Sequence, residues 1–272
     1  MERIKEALDR ARQQREADNH AAPAKAAPEV GRPASSGLDI AYTRTRVLTP
    51  DPVVMRDSKL IGFGQSGDVV TDAYRMLRTR TLRAMDDNGW HSLAVTSPCP
   101  GEGKSLTAIN LAMSMAREIN RTVLLVDLDL RRPSVHKFFG FDIEHGISEY
   151  LTEDVALEDV LINPAVERFV ILPGSGRVQN SSELLNSPRM RALASELAQR
   201  YPERIVIYDL PPVLAVDDAL AFSSLVDAFM LVVEEGSTQA EDIVAAHDVL
   251  SQANIVGTVL NKAAESQGHY YY

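Results

Sequence analysis

Residues 92–112 read SLAVTSPCPGEGKSLTAINLA, and this stretch decides the fold. The aliphatic run at 93–96 feeds into a loop of prolines and small residues, then into an amphipathic stretch that opens at Lys104. Strand, tight loop and helix, with Gly-Lys-Ser at the helix start, is the order of a phosphate-binding loop. Such a loop needs small residues so that backbone N–H groups can turn inward, a lysine for the β- and γ-phosphates, and a hydroxyl for Mg²⁺. Gly101 and Gly103 meet the first need, Lys104 the second and Ser105 the third. Pro98 stands where GxxxxGK[ST] has its first glycine, so the pattern is relaxed. A plain strand–turn–helix corner would also collect Gly and Pro, but it would not require Lys-Ser at the helix start. The expected nucleotide-binding stretch is Pro100, Gly101, Glu102, Gly103, Lys104, Ser105 and Leu106.

Outward from that loop, short aliphatic runs alternate with longer amphipathic stretches. The runs lie at 93–96, 122–127, 169–172, 204–208, 229–233 and 255–260, and the stretches between them include 104–118, 182–199, 217–224 and 240–253. Continuously apolar strands separated by helices predict an α/β fold of three layers, a P-loop NTPase-type parallel sheet with helices on both faces. Ligands of such a sheet bind at the carboxyl ends of its strands, so the residues that follow each run matter most.

The run TVLLVDLDLRRP ends in Asp127 and Asp129, which fall on the same side of an extended chain. Two carboxylates at the mouth of a nucleotide site can hold Mg²⁺ and accept a proton from a hydroxyl; solvated strand-end aspartates are the bland alternative. Arg131 and Arg132 follow at once, facing phosphate, a neighbouring subunit or solvent. RIVIYDLPPVL ends in Asp209, the position of a second metal-placing carboxylate, and Pro211–Pro212 stops the strand. The expected Mg²⁺ set is Ser105, Asp129 and Asp209, and the expected catalytic set is Lys104, Asp127 and Asp129. The last run delivers Asn261 and Lys262 to the same rim, where Asn261 either pairs with an adenine edge or sits in a turn.

Before the loop, residues 68–85 are helical by period, with Val70, Ala73, Tyr74, Leu77 and Leu82 as the inner face. At the N-terminus, Met1, Ile4, Ala7, Leu8 and Ala11 share one face of a helix that is short for water, either frayed or awaiting a partner. HAAPAKAAPEVGRPASSG then reads as a linker. The expected division is 1–66 for this extension, 67–264 for the folded domain and 265–272 for a tyrosine-rich tail. The formal charge of −10 is uneven: residues 1–50 carry +2, which leaves −12 for the rest. A body that acidic is a poor partner for nucleic acid. A single cysteine, Cys99, excludes an internal disulfide framework, and no apolar run reaches the length of a membrane span, so a cytoplasmic protein is expected. A thiol beside a helix start and a lysine can be activated, though Cys99 reads more simply as a small loop residue.

The chain resembles the bacterial tyrosine kinases, the autokinases associated with capsule and exopolysaccharide export. SPCPGEGKS is similar to the family's relaxed Walker A motif, LLVDLDLRRP to its second acidic motif and IVIYDLPPVL to its Walker B motif. The chain ends Tyr270, Tyr271, Tyr272, like the family's C-terminal tyrosine cluster. The resemblance implies an ATP- and Mg²⁺-dependent kinase that modifies this cluster in trans within a homo-oligomeric ring. It also implies a membrane-embedded polysaccharide co-polymerase-type adaptor that recruits the kinase to the inner face of the membrane, and a cognate tyrosine phosphatase. The family's ExxRxxR subunit-contact motif corresponds here to Asp72, Arg75 and Arg78, one methylene shorter at the acid; an intrahelical ion pair is the other reading of these residues. Two rivals share the fold. A MinD/ParA-like positioning ATPase carries a second lysine five residues before the loop lysine, and here that residue is Cys99. A non-catalytic nucleotide-gated adaptor would not need a complete set of Lys104, Ser105, Asp127, Asp129 and Asp209.

Overall fold

The computed structural model describes residues 45–62, 69–201 and 203–264. The expected N-terminal helix, its linker up to residue 44 and the tyrosine tail lie outside the described residues. The strands are β1 (Arg46–Val47), β2 (Ser92–Thr96), β3 (Thr122–Asp127), β4 (Ile162–Asn163), β5 (Phe169–Leu172), β6 (Arg204–Asp209), β7 (Ala228–Glu234) and β8 (Ile255–Asn261). They form one sheet in the order β1-β4-β5-β3-β6-β2-β7-β8. Among the described residues only the short β4–β5 pairing is antiparallel, so the sheet is mostly parallel, as the apolar runs predicted.

Side chains alternate across the pleat and build two cores. Val123, Leu125, Ile205 and Ile207 pack on one face against the Lys104–Met115 helix and against Leu82 and Met85 of the Val69–Asn88 helix. Leu124, Val126, Val206 and Tyr208 pack on the other face against Met190, Leu193 and Leu197 of the Pro188–Gln199 helix. The result is the expected three-layer α/β/α arrangement.

Three local expectations change. The stretch at 182–199 is two helices, Ser181–Leu185 and Pro188–Gln199: Pro188 has no N–H to continue the first, and the Ser187 hydroxyl caps the second by accepting from Met190 N at 3.2 Å. In the Val69–Asn88 helix the buried residues are Thr81, Leu82 and Met85, while Val70 and Ala73 face solvent, because the helix meets the body mainly through its second half. Residues 46–61, placed by the sequence reading within the N-terminal extension, belong to the packed body. Met55 is wholly buried, Leu60 and Ile61 nearly so, and β1 pairs with β4. Asn110, buried within the Lys104–Met115 helix, stitches this segment down. Its Oδ1 accepts from Ile61 N (2.9 Å) and its Nδ2 donates to the Lys59 carbonyl (3.2 Å).

The topology places the site. The central neighbours are β3, β6 and β2, with Asp127 in register with Asp209 and Asp209 with Val95. The loop after β2 and the acidic ends of β3 and β6 therefore meet at one edge of the sheet.

Candidate active site

The loop between β2 and the Lys104–Met115 helix is shaped by two glycines and held from below. Gly101 and Gly103 have φ of +89° and +92°, a conformation that disfavours side chains. A Cβ on Gly103 would also lie 2.1 Å from Asn261 Nδ2. The loop carbonyls are tied back: Asn261 Nδ2 donates to Glu102 O and Lys262 Nζ to Gly101 O, each at 2.8 Å. Lys262 is itself paired with Glu234 at 2.8 Å. Asn261 thus braces the loop backbone. The Glu102 side chain turns into the protein, where it accepts from Cys99 N (2.8 Å) and from the Thr238 hydroxyl. Pro100 and Gly101 are exposed, and Leu106 packs against the core beneath the loop. With the carbonyls tied back, the N–H groups of residues 101–105 have no backbone acceptor among the described residues. Unused donors at a helix start, behind glycines, make an anion cradle.

Lys104 lies beside that cradle. Its Nζ is 2.9 Å from Asp129 Oδ2, 3.5 Å from Asp209 Oδ1 and 3.2 Å from the Ser105 hydroxyl. Burial opposes its charge, but the Asp209 and Asp129 carboxylates outweigh burial and raise its pKa, so the ammonium stays protonated. Asp209 is wholly buried, and its Oδ2 has no hydrogen-bond partner among the described residues. Burial pushes its carboxyl up, against the pull of Lys104 and Ser105. An orphaned carboxylate oxygen beside a serine hydroxyl and a second acid fits a divalent cation. Among the described residues no group of three His, Cys, Asp or Glu could hold a metal unaided. Any cation here would need oxygens from a ligand, which suits Mg²⁺ arriving with a nucleotide.

Asp127 differs from Asp129. It is wholly buried; its Oδ1 accepts from Asp129 N (3.2 Å) and its Oδ2 from Ser134 N (2.9 Å) and Val135 N (3.0 Å). Burial, then the Asp209 charge, pushes its carboxyl up to about 7. It organises the backbone that carries Asp129. Asp129, 7% exposed and so nearly as buried, is the acid that meets Lys104 through Oδ2, while its Oδ1 accepts from Arg132 N at 3.1 Å. Arg131 Nε donates to the Ser181 hydroxyl at 2.8 Å, and its Nη2 lies 3.6 Å from the buried Asp218. Cys99 gains no activation: burial, Asp242 and Glu102 all raise its thiol pKa.

Asp72, Arg75 and Arg78 sit together on the Val69–Asn88 helix, away from the loop. Asp72 and Arg75 form an exposed pair at 2.7 Å. Arg78 turns inward, with Nε 3.1 Å from Glu118 and Nη1 donating to the Ser114 carbonyl at 3.1 Å. Both of these contacts lie within its own chain. Arg78→Glu is expected to cost about 1–3 kcal/mol in urea unfolding, and Arg75→Glu about 0.5 kcal/mol or less. Equal, negligible losses would return Arg78 to the free surface. The residue that sequence reading missed is Asn110, a polar side chain amid apolar helix residues; Glu102 was expected in the loop, but not the inward turn of its side chain.

Residues 92–254 match a family described as an AAA domain. The chain is similar to the tyrosine-protein kinase YwqD of Bacillus subtilis (strain 168), 34% identical over 217 residues that cover 78% of this chain and 90% of that protein. It is 29% identical to the tyrosine-protein kinase ptk of Acinetobacter johnsonii, covering 78% of this chain but spanning only 29% of that longer protein. The crystal structure of the chimerical protein CapA2B2 superposes with a TM-score of 0.71 at 28% identity, covering 81% of this chain and 94% of the other. The septum site-determining protein MinD from Pyrococcus horikoshii OT3, complexed with Mg-ADP, shares the fold at 23% identity and a TM-score of 0.54, covering 65% of this chain and 72% of that one.

Proposed function

The chain belongs to the bacterial tyrosine kinases, and from that premise we propose that it phosphorylates its own C-terminal tyrosines, Tyr270, Tyr271 and Tyr272, in trans. The observation that carries the reading is the convergence of Lys104, Asp129, Asp209 and Ser105 beside a loop with unused N–H donors. When bound, Mg·ATP would supply the phosphoryl group and a divalent charge to offset that of the phosphates. The loop amides bind and orient the phosphates, and Lys104, held protonated, stabilises charge on the group in transfer. Asp209 and Ser105 offer oxygens to the cation. Asp129, the less buried of the two β3 acids and the one beside Lys104, is the carboxylate for the phenolic proton. Asp127, bound by three N–H groups, fixes where Asp129 stands.

The same reading places the kinase in capsule or exopolysaccharide export, assembled as a ring. It is cytoplasmic and recruited to the inner face of the membrane by a membrane-embedded adaptor, and a phosphatase resets it. Among the described residues no helix is long and apolar enough to cross a membrane. Each phosphotyrosine adds about −1.5 to −2 charge at neutral pH, to a chain whose formal charge is already −10. Repulsion from the acidic site then disperses the modified tails.

Incubation of the purified chain with Mg·ATP should place phosphate on the C-terminal peptide, and replacing all three tyrosines with Phe should remove it. Mixing that triple variant with Lys104→Met should label the tail of the Lys104→Met chain, because transfer is in trans. Release of free phosphate without phosphotyrosine would favour a positioning ATPase, and neither product would favour a non-catalytic adaptor.

A further inference from the structure

A cavity of about 330 Å³ lies beside the acidic centre, lined by Arg132, Pro133, His136, Lys137, Gly176 and Arg177. It shares a wall with the active site. Gly174 is wedged so tightly that an added Cβ would stand 2.7 Å from Pro133 Cβ and 3.4 Å from Asp127 Cγ. The segment that carries Arg132, His136 and Lys137 is bound to Asp127 Oδ2 through Ser134 N and Val135 N. The cavity is thus fixed relative to Asp127.

Its charge is the reverse of its surroundings. The chain from residue 51 onward carries −12, yet three permanent cations and no carboxylate line this cavity. Among the described residues, the side chains of Arg132, Lys137 and Arg177 make no ion pair with a carboxylate. The nearest acids do not compensate them. Glu149, 3.9 Å from a Cβ on Gly176, already accepts from Gly146 N and the Ser175 hydroxyl, and Asp142 acts on His136 from outside the lining. His136 stands half-buried in this wall, with the Gly174 backbone as a hydrogen-bonding neighbour. Like charges converge at a cost unless an anion completes the set. Two guanidinium forks and an ammonium suit a phosphate dianion, and Pro133 and Gly176 leave a flat, uncharged wall for a ring. The volume falls at the small end of ligand sites.

We propose that this cavity binds a phosphotyrosyl side chain from the tail of a second copy of the chain, so that the modified tail passes from the acidic transfer site to a basic site beside it. The proposal rests on the tail being the segment that is phosphorylated. It gives the acidic centre a product-clearing neighbour: the charge that expels the phosphotyrosine from Asp129 and Asp209 is received by Arg132, Lys137 and Arg177.

The test uses the full chain without nucleotide and labelled peptides of residues 265–272, ESQGHYYY, unmodified or synthesised with phosphotyrosine at position 271. The phosphopeptide should bind at least about tenfold more tightly than the unmodified peptide, because charge-assisted bonds are gained. Lys137→Glu with Arg177→Glu should erase that preference while leaving the melting temperature unchanged, since both side chains are exposed. ADP should not displace the phosphopeptide. Retention of the preference in the double variant, or displacement by ADP, would overturn the proposal. Competition by inorganic phosphate at the same concentration as by phosphopeptide would reassign the cavity to free phosphate and overturn the tail as its occupant. Because the phosphate is placed by synthesis, these outcomes do not depend on the chain's own activity. Failure of the autokinase reading is seen separately, as absence of phosphate on the wild-type tail.

Discussion

Lys104→Met is expected to lower phosphotyrosine formation by at least about 10²–10³-fold, the loss that follows removal of a group stabilising transition-state charge. It should also destabilise the nucleotide-free protein, in a way that depends on pH. Lys104 is the counter-charge of Asp209, which is wholly buried, and of Asp129. Breaking a buried pair by removing one partner costs about 3–5 kcal/mol, and each kcal/mol moves the melting temperature of a domain this size by about 2–4 °C. Asp209, so orphaned, can escape that cost by taking up a proton. Burial already raises its carboxyl, and the Lys104 charge is what holds it down, so in the variant it will protonate more readily. Calorimetry should show a clear deficit at pH 8 that closes by pH 5.5. Equal melting temperatures at pH 8 would mean that Lys104 does not neutralise the pair, and full activity would mean that the loop is not the nucleotide grip.

Strands β2, β3, β6 and β7 were legible because each is buried on both faces, and burial on both faces demands an unbroken apolar run. β3 and β6 are the clearest cases, and their terminal acids could be read as partners because adjacent parallel strands end together. β1 and β4 were not legible, since two residues carry no period. Their pairing depends on a packed segment, 52–61, whose anchor is Asn110 on a distant helix. Lys104, Ser105, Asp129 and Asp209 meet as the motif spacing predicted. The direction of each side chain was not written in that spacing. Glu102 in the loop and Asn261 at the end of β8 serve as braces, and Arg78 meets Glu118 and Ser114. Asp127 was read correctly as an acid at the strand end, but the three N–H groups that engage it come from a loop with no periodicity.

Asp209→Asn should move stability and activity in opposite directions. Asp127 and Asp209 both have carboxyl pKa values above the ordinary range, Asp127 at about 7, each chiefly through burial. A raised acid binds its proton more tightly folded than unfolded. Between the unfolded value near 4 and the folded value, the native chain therefore carries protons that the unfolded chain has released, and stability falls as pH rises through that window. Above it, the folded state holds two carboxylates facing each other across adjacent strands, with Asp209 Oδ2 unpartnered. An amide at 209 removes one of those charges and relieves the smaller of the two causes that raise Asp127, burial being the larger. The variant should be more stable than wild type by about 1–2 kcal/mol at pH 8, the gain typical of relieving a strained functional site, and nearly equal to it at pH 5. Lys104 keeps Asp129 as a partner, so the stabilisation is not offset by a stranded cation. The cost falls on the reaction. A neutral amide cannot balance a divalent cation, so the rise in melting temperature that Mg·ATP gives the wild type by linkage should shrink or vanish, and phosphotyrosine formation with it. Calorimetry at both pH values, with and without Mg·ATP, reads both effects at once. A variant destabilised at pH 8, or one that still gains the full Mg·ATP shift, would show that Asp209 is a structural acid rather than one kept under strain for the cation.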